Sequence, residues 1–140
     1  MPSYVVVDTD VFSYIWQNRV EAAPYERYIK GKIPVLSFTS AAELYYGANY
    51  KGWGERKVRE LEASLKSYLI APYTPQMAKL WGSLKATARA TGHPLGVSEH
   101  SNDLWIATMA IFHDAPLLSH NRRHFQDLPG LDLVSPRPWE

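Results

Sequence analysis

Four carboxylates abut the most apolar stretches of the sequence. Asp8 and Asp10 follow Val5-Val6-Val7, Glu43 sits between Ala42 and Leu44-Tyr45-Tyr46, and Asp103 precedes Leu104-Trp105-Ile106. Ser119, His120 and Asn121 follow a further apolar run, Leu117-Leu118. If folding gathers such acids, two carboxylates about 5 Å apart repel by roughly 3 kcal/mol at an effective dielectric near 20. A cluster of three must then raise its pKa values or recruit a cation. With hard oxygen donors and no thiolate, the fitting cation is Mg²⁺ or Mn²⁺. A carboxylate-held Mg²⁺ is a common device for hydrolysing phosphodiesters. Each acid also has an ordinary structural role. Asp8 or Asp10 suits a helix cap, Ser40-Ala41-Ala42-Glu43 reads as an S-x-x-E capping box, and Asp103 suits the first turn of a helix.

The elements that must position these acids are short. Tyr4 to Val7 is β-branched and does not alternate, as expected of a strand buried on both faces. Asp8-Thr9-Asp10 can cap a helix running through Val11 to Asn18, and Ala23 to Lys30 reads as a second helix closed by Gly31. Ile33 to Phe38 is the next strand, after which Thr39 or Ser40 can cap a helix from Ala41 to about Tyr50. Val58, Leu61 and Leu65 recur at helical spacing, and Tyr68 to Ala71 is a third strand. Thr74-Pro75 opens a helix with an apolar stripe of Met77, Leu80, Trp81, Leu84 and Ala88, ended by Gly92. Ser101-Asn102 opens another through Phe112; Pro116 to Ser119 and Leu131 to Val134 are the last two strands. Strands alternating with helices predict an α/β fold, with a mostly parallel sheet of about five strands and helices on both faces. In such sheets ligands bind beyond the carboxyl ends of the strands, where the strand order reverses. Strand order alone does not fix whether the helix carrying Asp103 starts at that same edge.

The 140 residues suit a single domain over 1–140 with an irregular tail from about 135. With 15 Lys+Arg against 14 Asp+Glu, only a local basic patch is available to a polyanion. The absence of cysteine excludes a disulfide framework, thiolate zinc, iron–sulfur clusters and a cysteine nucleophile. The N-terminus lacks the pattern of a signal peptide, and the longest apolar segment, Leu104 to Phe112, is too short to span a bilayer. A cytoplasmic protein with no membrane partner is expected.

Four stretches in order carry a family resemblance: Val5-Val6-Val7-Asp8-Thr9-Asp10-Val11-Phe12; Ser40-Ala41-Ala42-Glu43-Leu44-Tyr45-Tyr46-Gly47-Ala48; Asn102-Asp103-Leu104-Trp105-Ile106-Ala107; and Leu117-Leu118-Ser119-His120-Asn121-Arg122-Arg123-His124-Phe125 with Pro129-Gly130-Leu131. In this order the chain resembles the PIN-domain ribonucleases, and among them the VapC-type toxins of toxin–antitoxin pairs. The resemblance implies a PIN-like three-layer fold and makes Asp8, Glu43 and Asp103 the acids that bind Mg²⁺ or Mn²⁺. Asn121 completes the catalytic set, standing where many relatives carry a fourth aspartate and offering a neutral oxygen instead of charge. Ser119 matches a hydroxyl position near the metal, and Asp10 a variable polar position beside it. The implied reaction is attack of metal-activated water on an RNA phosphodiester, leaving a 5′-phosphate and a 3′-hydroxyl. The implied partners are RNA, a second copy of the chain, and a cognate antitoxin whose peptide covers or enters the acidic groove.

An acidic crevice needs cations at its rim to hold RNA, and Arg122 and Arg123 follow the fourth strand immediately; a solvated turn before Phe125 explains them equally well. His120 and His124, four apart, would suit zinc only on a helix with a third ligand near. His93 and His100 read as exposed loop residues, and His113 as a helix-end residue. Most of the five tryptophans and nine tyrosines belong to the core or a dimer surface, with Tyr14, Trp16 and Tyr46 nearest the acids in sequence. Two other readings compete. The strand followed by Asp8-Thr9-Asp10 also resembles the start of haloacid-dehalogenase-type phosphatases, with Asp8 as nucleophile, and the fold could serve as a module that grips RNA or a partner without cutting.

Overall fold

Val5, Val6 and Val7 are each 1% exposed or less, so the strand they form has no solvent face. In the computed structural model, which describes residues 3–136, this strand, β1 (Tyr4–Val7), is the centre of a five-stranded sheet. The flanking strands are β2 (Ile33–Ser37), β3 (Leu69–Ala71), β4 (Leu117–Leu118) and β5 (Leu133–Val134). Their order is β3-β2-β1-β4-β5 and every pairing is parallel, with Val6 opposite Val35 on one side and Leu117 on the other. The chain lays β2 and β3 to one side of β1 and then crosses back to β4, so the order reverses between β1 and β4.

The two-residue period of β1 divides the core. Val6, with Val35 and Leu117, packs against helices α5 (Pro75–Thr91) and α6 (Ser101–Phe112) through Met77, Leu84, Leu104 and Ala107. Val5 and Val7, with Leu36 and Leu118, face α1 (Thr9–Trp16), α2 (Ala23–Ile29), α3 (Phe38–Tyr50) and α4 (Glu55–Leu65) through Phe12, Tyr25, Ala48 and Leu61. The three-layer α/β architecture is thus the expected one.

Local chemistry explains most boundaries. The Thr74 hydroxyl accepts the Met77 N–H at 3.3 Å, Pro75 takes the first helical position, and Gly92 ends α5 at φ 71°. Two boundaries move in ways that matter for the site. The third helix starts at Phe38, not Ala41, because Ser37 at the end of β2 accepts the Ser40 N–H at 3.0 Å. Ser40 is therefore inside the helix, and the capping box with Glu43 does not form. The first helix starts at Thr9 and ends at Trp16, short of Asn18, so Asp8 is its cap and Asp10 lies in its first turn. Two 3-10 turns, Pro94–Gly96 and Ser98–His100, join α5 to α6. A short helix, α7 (Arg122–Phe125), follows β4 and is anchored by buried Phe125. Ser135 and Pro136 lie outside regular structure; the remainder of the expected irregular tail, 137–140, lies outside the described residues.

Candidate active site

Asp8 leaves β1 at the strand-order reversal and is only 4% exposed. Its Oδ1 accepts the Thr9 N–H at 2.8 Å and its Oδ2 accepts the Ser119 hydroxyl at 2.7 Å. Ser119, fully buried at the end of β4, also accepts the Asn121 N–H at 2.9 Å. The two strands flanking the reversal are thus tied together through a carboxylate and a hydroxyl. Burial pushes the Asp8 carboxyl well above the ordinary value of 3.8. The neighbouring Asp10 charge pushes it further, the Ser119 hydrogen bond opposes this, Asp103 adds to it and the Thr9 N–H opposes it. The Asp10 carboxyl is also raised by burial, against the pull of the Val11 N–H at 2.6 Å and of nearby His120.

Glu43 arrives from α3 and is solvent-exposed at the rim. The Thr9 hydroxyl lies 3.2 Å from its Oε1, and the Asn102 amide at the start of α6 donates to the same oxygen. The Glu43 carboxyl is raised by partial desolvation first and by the Asp103 charge, while the contacts with Thr9 and Asn102 hold it down. That contact with Asn102 puts the N-terminus of α6 beside Glu43, and the Asp103 charge acts on both Asp8 and Glu43, with Asp10 next to Asp8.

The remaining candidates divide. The Asn121 amide meets His124 Nδ1 at 2.7 Å, and His124 Nδ1 is 3.0 Å from Asp103 Oδ2. Arg122 donates to the Ser135 carbonyl at 2.6 Å, whereas Arg123 is exposed. His120 and His124 do not pair. The short helix begins only at Arg122, and His120 instead meets the Tyr25 hydroxyl at 2.6 Å under the edge of Tyr14. Trp16 packs on Trp53, and Tyr46 is 68% exposed beside Tyr50. Local sequence gives Thr9 and Asn102 no site role, and it offers His100 as a loop residue either exposed or in contact with substrate. Thr9 and Asn102 read as ordinary helix-start residues, and only the pairing of α3 with α6 gives them a partner in Glu43. His100 is half-buried, its ring centroid 4.0 Å from that of His124.

A parallel α/β sheet with buried Asp8 at its strand-order reversal, under the charge of Asp103, points to a class, and comparison with known proteins agrees with it. The PIN domain profile matches residues 5–131, and the chain belongs to the PIN-domain family. Its relatives narrow this further. Ribonuclease VapC2 of Haemophilus influenzae is 33% identical over 127 residues, covering 90% of this chain and 92% of the relative. A second, Ribonuclease VapC1 of the same species, is 29% identical over 128 residues with the same coverage. Among solved structures, VapBC-1 from nontypeable Haemophilus influenzae superposes with a TM-score of 0.76 at 28% identity, over 94% of this chain and 97% of that one. VapBC2 from Rickettsia felis, bound to a DNA fragment from its promoter, gives 0.82 at 22% identity over 96% and 99%, a likeness of fold. The family sets aside the haloacid-dehalogenase alternative, in which Asp8 would be a phosphorylated nucleophile.

The donor set suits a divalent cation. Burial and neighbouring charge both raise Asp8, and a cation is the group that would relieve both.

Proposed function

We propose that this chain is a metal-dependent endoribonuclease, the toxin of a toxin–antitoxin pair, which hydrolyses RNA phosphodiesters. The observation that carries the reading is a PIN domain over residues 5–131 whose relatives are VapC ribonucleases, and the mutual charge effects of Asp8, Glu43 and Asp103 support it. Asp8, Glu43 and Asp103 would hold Mg²⁺ or Mn²⁺, which when bound lowers the pKa of water and neutralises charge developing on the phosphate. The residues have separable tasks. Asp8, fixed by Ser119 and Thr9, is the immobile carboxylate at the floor. Glu43, at the rim and steered by Asn102, can orient a water or accept its proton. Asp103 supplies charge from the third side, and Asn121 a neutral amide. Asp10 adds negative charge beside Asp8. Exposed Arg123 is the cation best placed to meet a phosphate, with Arg122 bracing the turn.

The same reading gives the chain a cognate antitoxin, a second copy as homodimer partner and a cytoplasmic place of action. An apolar groove of about 400 Å³ whose lining includes Phe12, Ile15, Trp16, Ile29 and Tyr68 lies along α1, the helix that Asp8 caps, and suits an apolar peptide. Among the described residues, no helix is long and apolar enough to cross a membrane.

The test is cleavage of labelled single-stranded and structured RNAs by purified protein in Mg²⁺, in Mn²⁺ and in EDTA, beside Asp8→Asn prepared identically. Metal-dependent cutting that disappears in the variant is the expected result. Cutting that survives both EDTA and the substitution would overturn the assignment, and no cutting by folded protein would favour a binding module that does not cleave.

A further inference from the structure

We propose a second divalent-cation site, of the transition-metal class, formed by His100, Asp103 and His124 beside the acidic cluster. One donor atom from each of the three residues lies within 4.8 Å of the other two, and all three side chains are half-buried. A zinc-class ion at about 2.0–2.2 Å from imidazole nitrogen and carboxylate oxygen needs donors roughly 3.3 Å apart. Asp103 Oδ2 and His124 Nδ1 already stand 3.0 Å apart. The His100 ring centroid is 4.0 Å from that of His124.

Two independent elements hold the ligands. His100 stands at the N-cap position of α6 and Asp103 lies in its first turn. His124 comes from α7, fixed by buried Phe125. His124 Nδ1 lies 3.0 Å from Asp103 Oδ2 and 2.7 Å from the Asn121 amide, so a ring nitrogen, a carboxylate and an amide already face one another there. Two imidazoles with one carboxylate select zinc or cobalt over Mg²⁺, whose preference is for oxygen ligands. This site is distinct in donor chemistry from the all-carboxylate cluster and shares only Asp103 with it, so it stands whether or not RNA is cut.

The experiment is titration of metal-free protein with Zn²⁺ and Co²⁺, read by calorimetry, by Co²⁺ visible absorption and by histidine ring NMR. Zn²⁺ should shift the ring resonances of His100 and His124 and leave those of His93 and His113 in place. Folded His100→Ala and His124→Ala should lose about tenfold or more in Co²⁺ affinity, while Asp8→Asn keeps the Co²⁺ spectrum. Absence of Co²⁺ binding, unmoved His100 and His124 resonances, or a Co²⁺ spectrum lost in Asp8→Asn but kept in both histidine variants would overturn the proposal.

Discussion

Replacing Asp8 with Asn should stabilise the metal-free protein while abolishing its stabilisation by Mn²⁺. Asp8 is 4% exposed, and Asp10 and Asp103 both raise its carboxyl. Removing one charge from a pair of carboxylates about 5 Å apart relieves roughly 3 kcal/mol at an effective dielectric near 20. Asparagine keeps one acceptor, which serves the Thr9 N–H, but its NH₂ cannot accept the Ser119 hydroxyl that Oδ2 now takes at 2.7 Å. Losing that bond to a charged acceptor costs about 1.5–3 kcal/mol. The net gain is about 0–1.5 kcal/mol, or a rise in Tm of up to about 6 °C for a domain of this size. The assay is thermal unfolding at pH 8 in EDTA, repeated with Mn²⁺. The wild type should gain stability from Mn²⁺ and the variant should not. A variant that melts lower than wild type in EDTA and is still stabilised by Mn²⁺ would refute the reasoning, since neither the repulsion nor the shared cation would then centre on Asp8.

Because folding raises the Asp8 and Glu43 carboxyls above their ordinary 3.8 and 4.5, the folded protein binds more protons than the unfolded chain just above those values. Stability in EDTA should therefore fall as pH rises from that range toward neutrality, and unfolding curves at stepped pH should show a smaller fall in Asp8→Asn. Gly96→Ala should destabilise the fold by about 1–3 kcal/mol, read by urea unfolding, because its Cβ would meet backbone Arg89 N at 2.7 Å and Ala88 C at 2.9 Å. Arg123→Ala should weaken RNA binding at all sequences and reduce the salt slope of log K by about 0.7–0.9, checked by binding at stepped KCl. An unchanged slope would remove Arg123 from the RNA path.

The fold was legible where single elements carry their own signals. Three consecutive valines, all buried, announced β1, and Thr74-Pro75 with Gly92 bounded α5. The α3 start was misread because Ser37, Thr39 and Ser40 are equally good caps by type. The choice fell to Ser37 because β2 ends there, a fact of sheet register and not of local sequence. The same ambiguity made Glu43 look explained by a capping box, when its actual partners, Thr9 and Asn102, are 34 and 59 residues away. The spacing of His120 and His124 misleads for a related reason. A spacing of four matters only on a helix, and α7 begins two residues after His120.

The neutral residue at position 121 fits the wiring around it. The Asn121 N–H donates to Ser119, whose hydroxyl donates to Asp8, so the backbone there already serves the buried carboxylate. A carboxylate side chain at 121 would stand among groups that touch Asp103, where each further charge about 5 Å away adds roughly 3 kcal/mol of repulsion. Asp8 and Glu43 are already raised by burial and by Asp103, and that penalty would fall on the metal-free fold. An amide keeps the shape and meets His124 without adding charge. Imidazole then takes the place beside Asp103 that a carboxylate would otherwise fill, and a nitrogen donor changes which cations bind there more than how strongly the site is charged. On this account Asn121 would separate two tasks, a hard cation on the proposed carboxylate ligands and a softer one on the histidine side of Asp103.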